Sequence, residues 1–572
     1  MTRENLFRRL ESLAAALYGP EEAAHILELV SDLAAKQHVQ TVSPQPLTQA
    51  DCVVITYGDL LQSKDVPPLR VLHDFLAENL KGTISAVHIL PFYPYSSDDG
   101  FAVIDYWEVN EALGTWDDIS RIAQDFDLMV DAVVNHISAS SEWFQAYLKG
   151  DPKFQDFFIE ANPELDYSKV VRPRALPLLT AFDTAMGRCH LWTTFSADQI
   201  DLNFASPEVL KEWIKLFFFY IQQGTRFIRL DAVGYLWKEI GTSCIHLEQT
   251  HQVVQLLRLV AEIADPSSRI ITETNVPHQD NIAYFGDGTN EAHLVYQFPL
   301  PPLVLYTFAA ENCYALSRWA SELEEPPGDT TFLNFLASHD GIGVMPVIDL
   351  ISTEELGKMM DTVQRRGGFV SHKHNADGSE SPYELNINYL SALFEPGEMH
   401  ENAVRRFLAA HSILLSLQGV PAIYMHSMLG SLNDGDGVES TGIKRRINRE
   451  KLDYTKVTQE LKQTVSLRHQ VFNRLKHMLD IRRSQKAFHP KAPQKVLRLG
   501  DSVFAVKRAS HGEAVISLNN VTGKPQQVTL AESVLDGLKQ ATDLLSNVSY
   551  RREKDGLTLI LQPYQACWLK LE

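Results

Sequence analysis

No stretch of this chain approaches the about 18 uninterrupted apolar residues that a membrane helix needs, which excludes a spanning segment. The N-terminus, Met1-Thr2-Arg3-Glu4-Asn5, soon meets further charges and has no apolar signal-peptide core. Cysteine is scarce: Cys52, Cys189, Cys244, Cys313 and Cys567 are odd in number and scattered, with no close pair. They exclude a disulfide scaffold and a cysteine-built zinc site, and fit reduced thiols in a cytoplasm. Positive charge is in deficit, with 52 Lys and Arg against 72 Asp and Glu, for a net charge of −20. Such a surface repels a phosphate backbone, so nucleic acid is not an expected partner. Low-complexity tracts are missing, and 45% hydrophobic with 22% charged residues is an ordinary globular composition. No carboxylate or histidine grouping has metal-ligand spacing and no cofactor is expected, although Asn135 could supply one oxygen to an ion. No glycine-rich phosphate loop follows the first predicted strand, which argues against a doubly wound nucleotide-binding sheet.

What is present is a series of short apolar runs alternating with amphipathic stretches. Val53-Tyr57, Ala86-Leu90, Leu128-Val134, Phe227-Leu230, Arg269-Thr272, His293-Gln297, Phe332-Leu336 and Val420-Tyr424 read as buried parallel strands. Leu69-Leu80, Trp116-Gln124, Pro207-Gln222, Gln249-Ala264 and Ala403-Leu417 read as helices between them. Eight such units predict an α/β fold, a (β/α)8 TIM barrel. Its 572 residues leave room for inserted subdomains after strands 3 and 7 and for a C-terminal antiparallel β domain. The expected layout is an N-terminal helical extension over 1–48 and barrel segments over 49–136, 201–340 and 399–487. Inserts fill 137–200 and 341–398, and the β domain fills 488–572. Leucine stripes at Leu6, Leu10, Leu13, Leu17 and at Ile26, Leu29, Val30, Leu33 predict a helical hairpin that packs on the barrel or serves a subunit interface. A long helix is expected near Gln463-Arg483. Strands are expected at Val496-Leu499, Val503-Lys507 and Ala514-Leu518, with turns at Gly500-Asp501 and Asn519-Asn520.

Three carboxylates, Asp231, Glu273 and Asp340, each lie just past one of these apolar runs. In a barrel that is the catalytic face, and carboxylates there suit chemistry on a sugar. Arg229 stands two residues before Asp231, on the same side of the strand, where its guanidinium lowers the carboxyl pKa as a nucleophile requires. A structural ion pair at a strand end fits the same two residues. A glutamate among other carboxylates, Glu273, has its pKa raised toward general-acid duty. Asp340, beside His339, could stabilise charge on a ring or grip hydroxyls, though Asp-Gly alone is a turn signal. Asn135-His136 close the third strand, where His136 is a hydroxyl ligand or a structural histidine. Asp98-Asp99-Gly100-Phe101 offers a carboxylate and an aromatic platform, or an acidic turn. Lys444-Arg445-Arg446-Ile447-Asn448-Arg449, after strand eight, is an anion site or a solvated loop.

Asp131-Ala132-Val133-Val134-Asn135-His136, Arg229-Leu230-Asp231-Ala232-Val233, Glu273 and Ser338-His339-Asp340 occur in one order. With them, the chain from about Val53 onward resembles the α-amylase superfamily of glycoside hydrolases. That resemblance implies that Asp231 is the nucleophile, Glu273 the acid/base and Asp340 the transition-state stabiliser, with His136, Arg229 and His339 lining a glucose subsite. Within the superfamily, Val53-Val54-Ile55-Thr56-Tyr57, Val87-His88-Ile89-Leu90-Pro91-Phe92, Gly234-Tyr235, Gly241-Thr242-Ser243-Cys244 and His339-Asp340-Gly341-Ile342-Gly343 resemble sucrose phosphorylase and its relatives. The likeness implies that Asp98 and Arg445 hold glucose hydroxyls. It also implies that Phe195 and Gln199 line that pocket, beside the platform of Phe101, and that Arg174 binds phosphate.

The chain departs from the sucrose enzymes where the acceptor is chosen. A Leu-Asp-Leu-Tyr-Gln loop becomes Glu380-Ser381-Pro382-Tyr383-Glu384, and Arg-Asp-Ile-Asn becomes Arg445-Arg446-Ile447-Asn448. With the N-terminal extension and Tyr383-Glu384-Leu385-Asn386, these changes are similar to the glucosylglycerate phosphorylase group. An extra arginine suits an acceptor carboxylate, and phosphate alone accounts for it equally. The implied activity is retaining phosphorolysis of a small α-glucoside, glucosylglycerate before sucrose or glucosylglycerol. The rivals are a water-using α-glucosidase and a non-catalytic accessory barrel. The implied partners are a sugar and inorganic phosphate, with a homo-oligomer left open.

Overall fold

All eight apolar runs become parallel strands of one closed barrel in the computed structural model. It describes residues 2–37, 45–173, 176–374, 379–395, 397–535, 537–553 and 556–572. The strands are β1 (Val53–Thr56), β2 (Ala86–Ile89), β3 (Asp127–Ala132), β4 (Thr225–Leu230), β5 (Arg269–Thr272), β6 (Leu294–Tyr296), β7 (Thr331–Phe335) and β8 (Val420–Tyr424). Each pairs with its neighbours in sequence and β8 closes on β1. The main helices are α1 (Arg3–Tyr18), α2 (Pro20–Lys36), α3 (Pro68–Asn79), α4 (Trp116–Asp125), α5 (Pro207–Gln222), α6 (Glu248–Ala264), α7 (Leu300–Ala310), α8 (Thr353–Arg365), α9 (His400–Ser416) and α10 (Leu467–Ser484). Strands buried on both faces must be apolar throughout, which is why β1, β2 and β5 expose almost nothing. No helix among the described residues is long and apolar enough to cross a membrane.

The N-terminal hairpin packs on the barrel: α1 lies against α2 and α6, and α2 against α5. Its buried seam is Leu6, Leu10 and Ala14 facing Ala23, Ile26, Val30 and Ala34, so alanines, which let helices approach closely, replace part of the expected leucine stripe. Tyr18 ties the turn down by donating to the Phe204 carbonyl at 2.8 Å.

Two long excursions leave the C-terminal ends of the strands. After β3 the chain forms the antiparallel pair Leu179–Thr184 with Gly187–Trp192, and His136–Ser138 pairs with Gln199–Asp201. After β7 it forms α8 and a three-stranded sheet of Ile342–Gly343, Glu380–Asn386 and Phe369–His374. The last helix, α10, begins at Leu467 because Ser466 caps it, accepting from the His469 N–H at 3.0 Å.

A six-stranded antiparallel sheet follows, in the order Gln494–Leu497, Val503–Ser510, Glu513–Asn520, Ala566–Leu571, Gln540–Asp543, Ser549–Arg551. The turn expected at Asn519-Asn520 is corrected: both residues are buried at the end of a strand. Asn520 instead organises the turn after it, accepting from the Thr522 N–H at 3.0 Å and donating to the Lys524 carbonyl at 2.7 Å.

Candidate active site

One deep pocket opens at the C-terminal end of the barrel, and Asp231, Glu273 and Asp340 all line it. The strand ladder brings the first two together. Asp231 N–H donates to the Ala132 carbonyl at 3.0 Å and Glu273 N–H to the Leu230 carbonyl at 3.1 Å, so each acid continues its strand by one residue. Ala232 then enters the left-handed region, φ 52°, which costs a non-glycine residue on the order of 1 kcal/mol. That turn points the Ala232 N–H at Glu273 Oε2, 3.3 Å away.

Arg229 is buried beneath this pair and joins three strands. Its Nη1 contacts both Asp131 and Asp231, the latter at 2.7 Å, and His88 Nε2 holds the other Asp131 oxygen at 2.7 Å. Burial raises the Asp131 pKa but Arg229 and His88 outweigh it, holding that carboxyl at about 2. The simple expectation that Arg229 keeps Asp231 low is modified. Burial raises Asp231 more than Arg229, shared with Asp131, lowers it, and Glu273 adds to the rise. Glu273 is raised by burial and by Asp340. Arg229 lowers both carboxyls without outweighing burial, and two coupled buried carboxyls keep one proton between them near neutrality. Arg229, 2.7 Å from Asp231, draws the negative charge there and leaves the proton on Glu273.

Asp340 has a different setting. Burial opposes its ionisation, but Arg445 at 2.5 Å, His339 at 3.6 Å and Arg449 at 3.6 Å hold it well below the usual carboxylate range. Arg445 also pairs with Glu384 at 3.1 Å, and Glu384 accepts the Gly341 N–H. The basic loop after β8 thus closes on the acidic loop after β2: Arg446 and Arg449 both clamp Asp99, each at 2.5 Å.

The remaining polar groups converge from the loops after β2 and β3. Asp98, in a left-handed turn at φ 54°, lines the pocket and accepts from Gln199 Nε2 at 3.3 Å. The His136 ring sits 2.9 Å from the Phe101 carbonyl. Phe101 stacks on His339, centroids 4.7 Å apart and nearly parallel at 7°. Phe195 meets Tyr235 edge-on at 5.6 Å. Tyr383 and Glu384 line the wall from the strand Glu380–Asn386. Of the residues expected at the site, three stand apart. Arg229, expected to line the glucose subsite, lies beneath the acids instead, its guanidinium taken by Asp131 and Asp231. Arg446 does not line the pocket, because Asp99 takes its guanidinium. Arg174 lies outside the described residues, next to Pro173 of the pocket wall.

Asn135 is corrected from a candidate ion ligand. The Lys238 ammonium donates to Asn135 Oδ1 at 2.9 Å and to the Tyr235 carbonyl, and pairs with Asp201 Oδ2 at 2.6 Å. These oxygens therefore already carry a cation, supplied by the chain. Sequence reasoning also missed the structural parts played by His88, Asp99, Lys238 and Arg449. Their side-chain partners lie tens to hundreds of positions away, so no local spacing marks them.

Comparison with known proteins gives this chain its relatives. The model of the family "Alpha amylase, catalytic domain" matches residues 79–358. A glucosylglycerate phosphorylase of Spirochaeta thermophila is 48% identical, over 98% of this chain and 98% of that one. One of Escherichia coli is 45% identical, over 96% and 98%. Among solved structures, sucrose 6F-phosphate phosphorylase from Thermoanaerobacter thermosaccharolyticum superposes with a TM-score of 0.72 at 24% identity, covering 92% of this chain and all of that one, a likeness of fold.

Proposed function

Because this chain belongs to the glucosylglycerate phosphorylase family of α-amylase-type barrels, we propose that it cleaves 2-O-α-glucosylglycerate with inorganic phosphate. The observation that carries the mechanism is the unequal setting of the two central acids, Asp231 in direct contact with Arg229 at 2.7 Å and Glu273 held by the Ala232 N–H at 3.3 Å. The Asp231 carboxylate attacks the anomeric carbon as the C1–O bond to glycerate breaks, and the Glu273 proton goes to the leaving oxygen. This leaves a β-glucosyl ester on Asp231 and free glycerate. A phosphate oxygen then attacks C1 from the vacated side, Glu273 takes back the proton, and Asp231 departs as a carboxylate. Two inversions give α-glucose 1-phosphate with net retention.

Asp340 stays ionised in this scheme and offsets positive charge on the ring in each transition state. We assign the glucose hydroxyls to Asp98, His136, Gln199 and Arg445, and the apolar walls to Phe101 and Phe195, all of which line the pocket. We assign Arg174 to phosphate and Tyr383 and Glu384 to the acceptor side. Five unpaired thiols, four of them buried, fit a cytoplasmic setting. The test is to incubate the protein with glucosylglycerate, glucosylglycerol and sucrose, each with and without phosphate, and to measure α-glucose 1-phosphate. Phosphate-dependent product, highest for glucosylglycerate, is expected. Equal release of free glucose without phosphate would make it a hydrolase, and a preference for sucrose would overturn the acceptor.

A further inference from the structure

The loop after β4 returns to the pocket at Ile245 and His246 by an unusual route. Cys244 and His246 both adopt left-handed backbone conformations, φ 51° and 55°, which non-glycine residues rarely take. Such strain persists where the surroundings over-determine it, and it collects at sites that aim a side chain. The surroundings here are specific. The imidazole lies against Gly234, where an added Cβ would come 2.9 Å from its Cε1. Its Nδ1 is 2.8 Å from the hydroxyl of fully buried Tyr284.

That hydrogen bond sets the tautomer. The Tyr284 hydroxyl donates to Nδ1, since its buried proton otherwise goes unmatched, so Nε2 carries the ring's own proton. Burial pushes the His246 imidazolium down to about 4, and the ring is neutral at pH 7. Nε2 is shielded from solvent and has no hydrogen-bond partner among the described residues. A buried donor left unmatched costs about 1–3 kcal/mol, a cost that a bound ligand atom would remove.

Position says which part of the ligand this is. A general acid must reach the oxygen joining glucose to its leaving group, so residues grouped with Glu273 border the leaving group rather than the glucose. His246 lies on that side, seated on Gly234 just beyond Asp231 and Ala232, and the Ala232 N–H contacts Glu273. The glucose-side groups Asp98, His136 and Gln199 come from the loops after β2 and β3 instead.

We infer that His246 is a specificity residue of the acceptor subsite, presenting its Nε2–H to an oxygen of the departing acid, with Tyr284 as the positioning residue that fixes the tautomer. This rests on the reading of the chain as a glucosylglycerate phosphorylase. A donor lost to a charged acceptor oxygen weakens recognition by about 10- to 100-fold. The test compares kcat/KM for glucosylglycerate with that for α-glucosyl fluoride, which has no acceptor oxygens, at saturating phosphate.

His246→Phe should lower the ratio by about 10- to 100-fold, His246→Gln should restore part of it through its amide N–H, and Tyr284→Phe should lower it less. Equal losses with both donors would mean a structural role and overturn the inference, as would an unchanged ratio. If the unaltered protein prefers sucrose or glucosylglycerol, the acceptor reading fails by itself. The same ratio, taken with the preferred glucoside, then still decides His246.

Discussion

In the proposed mechanism, replacing Asp231 by Asn keeps the side chain's shape and its contact with Arg229 while removing the charge that attacks. Replacing Glu273 by Gln removes the proton that the same proposal has given to the leaving oxygen and taken back. The two changes should therefore fail differently. Asp231→Asn should lose turnover of every glucoside by about 10⁴-fold or more, with an unchanged circular dichroism spectrum. Unaltered protein should show a bell-shaped kcat/KM against pH. Its acidic limb arises because Asp231 must be ionised, and activity falls as pH drops through that ionisation. Its basic limb arises because Glu273 must be protonated, and burial with Asp340 nearby raises its pKa, so activity falls as pH climbs above the ordinary carboxyl range. In Glu273→Gln the basic limb should vanish when α-glucosyl fluoride is the donor, since fluoride leaves without a proton. A surviving basic limb would assign it to another group.

At the scale of elements, the loop after β7 explains why the chain reads Asp340-Gly341-Ile342-Gly343. A Cβ on Gly341 would stand 2.5 Å from Glu384, and one on Gly343 would stand 2.8 Å from the Asn275 amide. Both glycines make room for polar side chains on the pocket wall, so neither is there for a left-handed turn. Gly341→Ala should push Glu384 off the Gly341 N–H and loosen its hold on Arg445. The expected result is a KM for glucosides raised about tenfold or more with a small fall in Tm; an unchanged KM would make the contact incidental.

The same elements show what was legible beforehand. β1 to β8 could be read because a buried parallel strand is apolar along its whole length, and the three acids because each follows such a run. Asp99 with Arg446 and Arg449 could not be read as a clamp, since the pairing joins the loop after β2 to the loop after β8. Lys238 on Asn135 and Asp201 is hidden for the same reason. Charge pairing across a closed barrel has no sequence period.

For the whole molecule, the hairpin and the C-terminal sheet reinforce opposite parts of the barrel. α1 and α2 lie on α6 and α5, the helices on either side of β4, which delivers Asp231. The C-terminal sheet is fastened where the chain runs from α9 into β8. Trp568 donates to Ser412 Oγ at 2.8 Å. Fully buried Arg508 donates to the carbonyls of Ser416 at 2.9 Å, His489 at 2.8 Å and Ala492 at 2.9 Å. These are ends of a helix and a loop, whose carbonyls have no helical partners and, once buried, need donors. Arg508→Met fills the volume but leaves the Ser416 and Ala492 carbonyls unmatched, while His489 keeps the Ala492 N–H at 2.8 Å, which should cost about 2 kcal/mol or more. Because Arg508 serves the joint between domains and not the pocket, the loss should appear as a lower Tm and a lower urea midpoint. The KM for glucosylglycerate at 25 °C should stay within about twofold, since no pocket residue loses a partner. A Tm unchanged by the substitution would mean that the sheet is held by its apolar contacts alone, and a KM shifted as far as the stability would mean that the joint reaches the active site.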